Sequence, residues 1–139
     1  MWLLDTNVIS ELRIPDRSHK AVRAWSLQQD PEQFFISVST VLEVQYGALL
    51  LQHRDKVQGA MFTSWVQERV LTDFSGRILP TTVEIALVCA GLHVPNRRGE
   101  RDALIAATAL VHGLTVVTRN TRDFEGTGVK LFNPWEAAR

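Results

Sequence analysis

The chain has 139 residues, of which 45% are apolar and 22% charged, and its 15 Lys+Arg balance its 15 Asp+Glu. This length and composition are typical of one globular domain with a hydrophobic core, and the zero net charge gives no support to nucleic-acid binding through bulk charge. Cys89 is the only cysteine, which excludes a disulfide within the chain and favours a buried apolar role for this side chain.

The hydropathy pattern gives no sign of a membrane protein. No uncharged apolar run reaches the ~18 residues that a membrane-spanning helix needs. The first residues carry no basic region, and Asp5 interrupts their only apolar stretch, so no signal peptide is predicted. We therefore expect a cytoplasmic protein that does not bind membranes.

The first half of the chain alternates short apolar runs with longer segments of helical spacing. An unbroken apolar run predicts a buried strand, and apolar residues spaced by three and four predict an amphipathic helix. On these signals we predict strands at 2–4 and 34–38, a helical turn over 6–13 that is closed by Pro15, and helices over 19–29, 41–52 and 55–71.

The second half repeats this alternation. We predict strands at 78–79, 115–117 and 129–131, helices over 82–93 and 101–112, and a loop between these helices that holds Pro95 and Gly99. Gly113 follows the last helix, where glycine commonly ends a helix. Strands that are separated by helices imply a parallel sheet covered on both faces. The predicted fold is one domain over residues 1–139, a three-layer α/β/α sandwich with a mainly parallel sheet.

Four acids lie where a strand should end or a helix should begin: Asp5, Glu43, Asp102 and Asp123. In an alternating α/β fold these positions share one edge of the sheet, which is the edge where ligands bind. Carboxylates gathered there repel one another unless positive charge lies among them. Oxygen ligands of this kind suit Mg²⁺ or Mn²⁺. The four histidines show no paired zinc spacing, so a zinc site is not expected.

Each acid also has a purely structural explanation. Asp5 fits the N-cap of the helical turn that follows the first strand, and Asp123 fits the cap of a turn. Residues 40–43 fit a capping box in which Glu43 bonds back to Thr40. Asp102 lies in the first turn of its helix, where a negative charge is stabilising. The metal hypothesis therefore depends on the four acids as a set.

A carboxylate-bound divalent ion suggests phosphodiester hydrolysis, because it can activate water and stabilise the leaving oxygen without a nucleophilic side chain. Five arginines flank Asp102 and Asp123 in sequence: Arg97, Arg98, Arg101, Arg119 and Arg122. They could bind a nucleic-acid backbone. Alternatively, they are solvated loop residues.

Four segments resemble, in order, the motifs of PIN-domain ribonucleases, and specifically of VapC-type toxins from bacterial toxin–antitoxin pairs. They are residues 3–9 (LLDTNVI), 39–43 (STVLE), 102–109 (DALIAATA) and 117–124 (VTRNTRDF). Residues 76–80 (GRILP) and 132–135 (FNPW) are similar to the FitB-like branch of that group. The resemblance covers nearly the whole chain.

The resemblance implies an Mg²⁺- or Mn²⁺-dependent endoribonuclease in which Asp5, Glu43 and Asp102 are the core metal ligands. Many relatives carry an acid directly after the Thr-Arg pair, whereas this chain has Asn120 there and Asp123 three residues later. Either of these two residues can be the fourth ligand.

Two further polar residues match family positions. Asn7 and Thr118 match positions that orient Asp5 and the bound water in the family. Hydrogen bonds in a turn and at a strand end are the structural alternative for these two side chains.

The resemblance also implies partners. It predicts a small antitoxin whose tail blocks the site, an RNA substrate, and usually a homodimer. A toxin–antitoxin hetero-oligomer could bind operator DNA through the antitoxin. Trp65 and its apolar neighbours are a candidate surface for the dimer or the antitoxin, although such spacing is more often that of a core.

Other functions remain open. One is a catalytically silent module that uses the acids to hold an arginine of the antitoxin, and another is a DNA-cleaving relative. A phosphoacceptor domain would need an aspartate on the third strand, and residues 78–80 offer none. A phosphatase with two nearby aspartates at strand one is disfavoured, because Asn7 takes the second position.

Overall fold

The computed structural model describes residues 1–136 and has a five-stranded sheet at its centre. The last three residues of the predicted domain lie outside the described part. All neighbouring strands pair in parallel, in the order β3-β2-β1-β4-β5. The strands are β1 (Trp2–Leu4), β2 (Phe34–Ser37), β3 (Ile78–Leu79), β4 (Thr115–Val117) and β5 (Leu131–Phe132).

Helices connect the strands and cover both faces of the sheet. They are α1 (Thr6–Glu11), α2 (Lys20–Leu27), α3 (Val38–Arg54), α4 (Lys56–Trp65), α5 (Leu71–Asp73), α6 (Val83–Leu92) and α7 (Glu100–His112). A π-helical turn, Val66–Val70, joins α4 to α5, and a 3₁₀ turn, Thr121–Phe124, follows β4. The three-layer α/β/α sandwich predicted from the sequence is confirmed.

The strand residues alternate between two hydrophobic cores. Leu4 and Val117 pack with buried residues of α1, α2 and α3 on one face of the sheet. Leu3 and Val116 pack with α7 on the other face. This alternation follows from the two-residue period of a strand, in which successive side chains point to opposite faces. Trp65, the candidate for a dimer or antitoxin surface, is partly buried and packs against the first core.

The strand order reverses its direction at β1, with β2 on one side and β4 on the other. In open parallel sheets, the crevice beyond the carboxyl ends of the strands at such a switch point is the usual ligand site. Residues Asp5 and Thr118 come directly after β1 and β4 and therefore stand side by side in this crevice. Chain topology alone thus brings together two segments that are far apart in sequence.

Several predicted element boundaries differ from the structure, and three of these differences have a physical explanation. Helix α3 begins at Val38 instead of residue 41, because Ser37 caps it and accepts a hydrogen bond from the Thr40 backbone N–H. The last strand begins at Leu131 instead of residue 129, because Thr127 holds the preceding residues in a turn. The predicted helix over 55–71 is interrupted by the π-helical turn, where the Leu71 N–H donates to the Val66 carbonyl.

Within residues 1–136, no helix is both long enough and apolar enough to cross a membrane.

Helices α3 and α4 form a tight hairpin because a glycine lies at their contact. Gly59 is buried, and a Cβ on it would lie 2.1 Å from the Cα of Gln52. The obstacle is backbone, so it cannot move aside as a flexible side chain could. Gly47 lies within α3, and a Cβ there would meet nothing within 4 Å.

We expect Gly59→Ala to lower the free energy of unfolding by about 1–3 kcal/mol, because overpacking at a tight contact costs roughly that amount. The matched control, Gly47→Ala, should be neutral or stabilising by up to about 1 kcal/mol, since alanine favours a helix interior. Urea denaturation of both variants measures the difference. Equal stability of the two variants would contradict the close approach of α3 and α4.

Candidate functional site

Asp5 is fixed at the centre of the crevice by its backbone and by its side chain. Its N–H donates to the Val117 carbonyl at 2.9 Å, which extends the β1–β4 pairing by one residue. Its Oδ1 accepts a hydrogen bond from the Thr6 N–H at 2.7 Å, so Asp5 is the N-cap of α1. The structural reading of Asp5 as a cap is therefore confirmed, and it leaves the second carboxylate oxygen for other contacts.

The second oxygen of Asp5 is held by the two polar residues that were predicted to orient it. Thr118 donates its hydroxyl to Oδ2 at 2.8 Å, and Asn7 donates its side-chain amide to the same oxygen at 3.4 Å. Only 7% of Asp5 is exposed. Burial raises the pKa of Asp5, and the hydrogen bond from Thr118 partly opposes that rise. The site thus holds a desolvated carboxylate in one defined orientation.

A short network ties the start of α1 to the end of β4. The Asn7 amide also donates to the Thr118 hydroxyl at 3.2 Å, and the Asn7 carbonyl oxygen accepts from the Arg119 N–H at 3.3 Å. The Asn120 N–H donates to the Thr118 hydroxyl at 3.0 Å. These bonds fix the loop after β4 against α1. The structure therefore brings the predicted residues Asn7, Thr118 and Asn120 together with Asp5.

Glu43 lies in the second turn of α3 and points toward α7. Its Oε2 is 3.7 Å from a terminal guanidinium nitrogen of Arg101. Burial raises the pKa of Glu43, the charge of Arg101 lowers it, and repulsion from Asp5 raises it further. The capping-box explanation of Glu43 is wrong, because Ser37 is the cap of α3 and Thr40 already lies inside the helix. The Glu43 carboxylate is therefore not used to cap α3.

Asp102 lies in the first turn of α7, after the N-cap residue Gly99. Burial, together with repulsion from three other carboxylates, Asp123, Asp5 and Glu43, raises the pKa of Asp102 to about 6. The four acids predicted from the sequence therefore lie within electrostatic reach of one another. We call these four residues the acid rim.

Asp123 and Asn120 lie on the loop after β4, and both side chains are exposed. The Asp123 N–H donates to the Asn120 carbonyl at 3.0 Å, which closes the 3₁₀ turn. Asp123 raises the pKa of both Asp5 and Asp102 by repulsion. Both candidates for the fourth ligand position thus belong to the same loop, and the choice between them stays open.

The donor set of the acid rim fits a hard divalent cation. Mg²⁺ or Mn²⁺ bound between carboxylates neutralises their mutual repulsion. Mg²⁺ commonly binds one or two carboxylates and keeps several waters. Among residues 1–136, no three His, Cys, Asp or Glu side chains are placed so that they could hold a metal ion together. An ion at the rim would therefore keep part of its water shell, and some of these side chains would contact it through water.

The predicted nucleic-acid arginines differ in their surroundings. Arg98 is partly buried and donates to the carbonyls of Leu92 and Glu125 at 3.1 and 2.7 Å. This places it within the fold as a brace. Arg119 lies over the Trp135 ring at 5.4 Å, and Arg122 is exposed beside Asp123. Arg101 is the one that forms an ion pair with the rim in the described part of the chain.

Sequence reasoning missed two contributors on the α3 side of the rim. Thr6 donates its hydroxyl to Thr40 at 3.4 Å and helps to hold the start of α1 against α3. Ser37 sets where α3 begins and therefore where Glu43 points. The signal for Ser37 was present in the sequence, because a serine directly after an apolar strand is a preferred helix cap. The contact between Thr6 and Thr40 had no local signal.

Comparison with known proteins identifies the family. The sequence profile of the PIN domain matches residues 2–130. This chain belongs to the PIN domain family. The PIN domain described here is 37% identical to VapC ribonuclease Y4jK of Sinorhizobium fredii, over 99% of this chain and 100% of that protein. It is also 37% identical to toxin FitB of Neisseria gonorrhoeae, over 97% of this chain and 99% of that protein.

A solved structure gives the same assignment. The structure of FitAB bound to a DNA fragment contains a chain that superimposes on this PIN domain with a TM-score of 0.88 and 35% identity. The match covers 100% of this chain and 99% of that chain. The family predicted from the four motifs, a PIN domain similar to VapC and FitB toxins, is confirmed.

Charge repulsion at the acid rim predicts an unusual pH effect on stability. Because the pKa of Asp102 is raised from 3.8 to about 6 in the folded state, ionised Asp102 destabilises the fold above pH 6 and not below pH 4. We therefore expect Asp102→Asn to raise the free energy of unfolding in EDTA at pH 7.5, by about 1–2 kcal/mol after allowance for solvent screening.

The stability that Asp102→Asn gains over wild type should shrink as the pH falls from about 6 to about 4, because wild-type Asp102 becomes protonated in that range. Thermal denaturation in EDTA across this range measures it. Asp16→Asn is the control, because Asp16 is an exposed acid that pairs only with Arg23 at the surface. An Asp102→Asn protein that is less stable than wild type at pH 7.5 would contradict the repulsion.

Proposed function

We propose that this PIN domain is a Mg²⁺- or Mn²⁺-dependent endoribonuclease that acts as the toxin of a type II toxin–antitoxin pair. One observation carries the proposal: Asp5, Glu43, Asp102 and Asp123 meet at the carboxyl edge of the sheet, where burial and repulsion among them raise the pKa of Asp102. Acids placed so that they repel one another at the carboxyl edge of a parallel sheet need a cation among them. The names of the VapC and FitB relatives support the reaction and the toxin role.

In this proposal Asp5, Glu43 and Asp102, with Asp123 or Asn120 as a further ligand, would hold a partly hydrated metal ion, some of them through its bound water. Bound there, the ion would lower the pKa of water and offset charge on the phosphoryl group. The chain's own part is to fix the oxygens. Asp5 keeps one orientation because Thr118 and Asn7 donate to its Oδ2, at 2.8 and 3.4 Å.

The substrate contacts follow from the charges around the rim. A phosphodiester strand that reaches the acids passes the loop after β4, where Arg119 and Arg122 are exposed. We assign these two residues, together with Arg101, to the RNA backbone. Arg98 is left out, because backbone carbonyls accept its hydrogen bonds. Phosphate contacts of this kind position the strand and do not read its sequence.

The partners in this proposal come from the relatives. FitAB was solved as a complex on DNA, and we propose that this PIN domain likewise has a protein antitoxin that blocks the acid rim. Operator DNA would be contacted through the antitoxin, and the toxin would be a homodimer in the cytoplasm.

A second candidate function is a silent binding module, and the Arg101–Glu43 ion pair favours it to a degree. The pair shows that a guanidinium can satisfy an acid of the rim. An arginine from the antitoxin could do the same without any hydrolysis. The silent binding module predicts antitoxin binding with no metal-dependent cleavage. If the protein is instead a DNA nuclease, it should cleave single-stranded DNA in preference to RNA.

We expect Asp5→Asn to abolish RNA cleavage in Mn²⁺, with a loss of at least about a hundredfold, because it removes a metal ligand at the centre of the rim. The amide can still cap α1, since asparagine is as good an N-cap as aspartate. The measurement is cleavage of single-stranded RNA by the purified protein, with single-stranded DNA of the same sequence in parallel.

Asp16→Asn is the matched control for this assay. It makes the same chemical change at an exposed acid, whose side chain is 94% accessible, and it should cleave at the wild-type rate. Circular dichroism of both variants verifies the fold. Cleavage by Asp5→Asn at the wild-type rate would overturn the nuclease assignment. If the wild-type protein also fails to cleave RNA, the silent binding module is the function that remains.

A further inference from the structure

One cation already lies at the acid rim, and it belongs to the chain itself. Arg101 is the second residue of α7, and its guanidinium reaches across to Glu43 on α3, with 3.7 Å between Nη1 and Oε2. The Arg101 side chain is 51% exposed and that of Glu43 is 22% exposed. The pair therefore bridges two helices at the mouth of the crevice and remains in contact with water.

The other arginines near the rim are placed differently. Arg98 uses its guanidinium on backbone carbonyls, and the guanidinium of Arg119 lies over the Trp135 ring. Within residues 1–136, the ion pairs other than Arg101–Glu43 lie away from the rim. Arg101 is thus the described residue that offsets the negative charge of the acids by direct contact.

This ion pair is weak enough for another cation to replace Arg101 at Glu43. A half-exposed pair at this distance contributes little to stability, because water screens it and both side chains lose freedom on pairing. A divalent ion at the rim would compete for the same Glu43 oxygens and would also repel the guanidinium. The Arg101 side chain is 51% exposed, so the released guanidinium would reach solvent near the start of α7, where a phosphate strand would approach.

We propose that Arg101 is an exchangeable counter-ion, which pairs with Glu43 in the metal-free protein and moves to a phosphate of the nucleic-acid strand when Glu43 turns to the metal. The proposal rests on the proposed metal-dependent nuclease function and adds a positioning residue to it. It explains how four acids can coexist in the free protein, and it links metal binding to substrate binding. It also makes two predictions of opposite sign.

The first prediction concerns the metal alone. Arg101→Gln should bind Mn²⁺ about three- to tenfold more tightly than wild type, because the competitor for Glu43 and its positive charge are both gone. Arg101→Lys keeps the charge and should stay near wild type. Calorimetric titration with Mn²⁺ in the absence of nucleic acid gives these affinities without any reference to activity.

The matched control is Arg54→Gln, which makes the same charge change on the same helix as Glu43. Arg54 is exposed in the last turn of α3, and eleven residues of helix separate it from Glu43 by ~16 Å. Its loss should leave the Mn²⁺ affinity within about twofold of wild type, because a charge beyond the Debye length is screened.

The second prediction concerns a labelled 12-nucleotide RNA of mixed sequence. In Ca²⁺, Arg101→Gln should bind it about three- to tenfold more weakly than wild type, and the salt dependence should fall by about 0.7 in slope, as for one lost phosphate contact on a single strand. Fluorescence anisotropy measures the binding, and a gel confirms that the probe stays intact. Arg54→Gln should match wild type.

The opposite signs separate this role from a structural one. A variant that merely loosens the fold would bind both Mn²⁺ and RNA more weakly, and that result would overturn the proposal. Unchanged Mn²⁺ affinity in Arg101→Gln, with normal Mn²⁺ binding by wild type, would overturn the exchange while leaving the nuclease assignment standing. Absence of Mn²⁺ binding by wild type would remove both, and the cleavage assay with Asp5→Asn tests the nuclease separately.

Discussion

Repulsion among the carboxylates at the carboxyl edge of the sheet governs the rest of this structure. Asp5 is desolvated and fixed by hydrogen bonds, so it cannot turn away from its neighbours. Asp102 is left with a pKa of about 6, well above that of a free aspartate. A fold with zero net charge thus brings four of its 15 acids to one crevice. Such perturbed groups in a cleft are typical of functional sites.

The fold supplies the rigidity that this arrangement requires. Asp5 and Thr118 follow adjacent strands, and the backbone bond from Asp5 to Val117 holds them together. Helices α3 and α7 then bring Glu43 and Asp102 to the same edge from opposite faces of the sheet. Because Asp5 lies at a strand end, and Glu43 and Asp102 lie in the first two turns of a helix, packed elements set the positions of these three acids. Asp123 is the exception, and it is also the most exposed member.

Much of the site could be predicted because its residues sit at recognisable boundaries. An aspartate after a short apolar run, as at Asp5, marks the end of a buried strand, and parallel topology then fixes the shared edge. The Arg101–Glu43 pair could not be predicted, because it depends on the angle at which α3 and α7 cross. The close contact of α3 and α4 at Gly59 could not be predicted either, since a glycine in a helical pattern usually indicates only weaker helix formation. Ser37 was readable as a cap, but Thr40 offered a competing cap three residues later.

The most direct test measures the carboxyl pKa of Asp102 by carbon NMR, with EDTA and then with saturating Mg²⁺. We expect a pKa of about 6 in EDTA. Saturating Mg²⁺ should lower it to about 4 or below, because a bound cation stabilises the ionised form. An Asp102 that titrates near 4 in EDTA, or one whose pKa is the same with and without Mg²⁺, would contradict the claim that these acids converge to hold a cation.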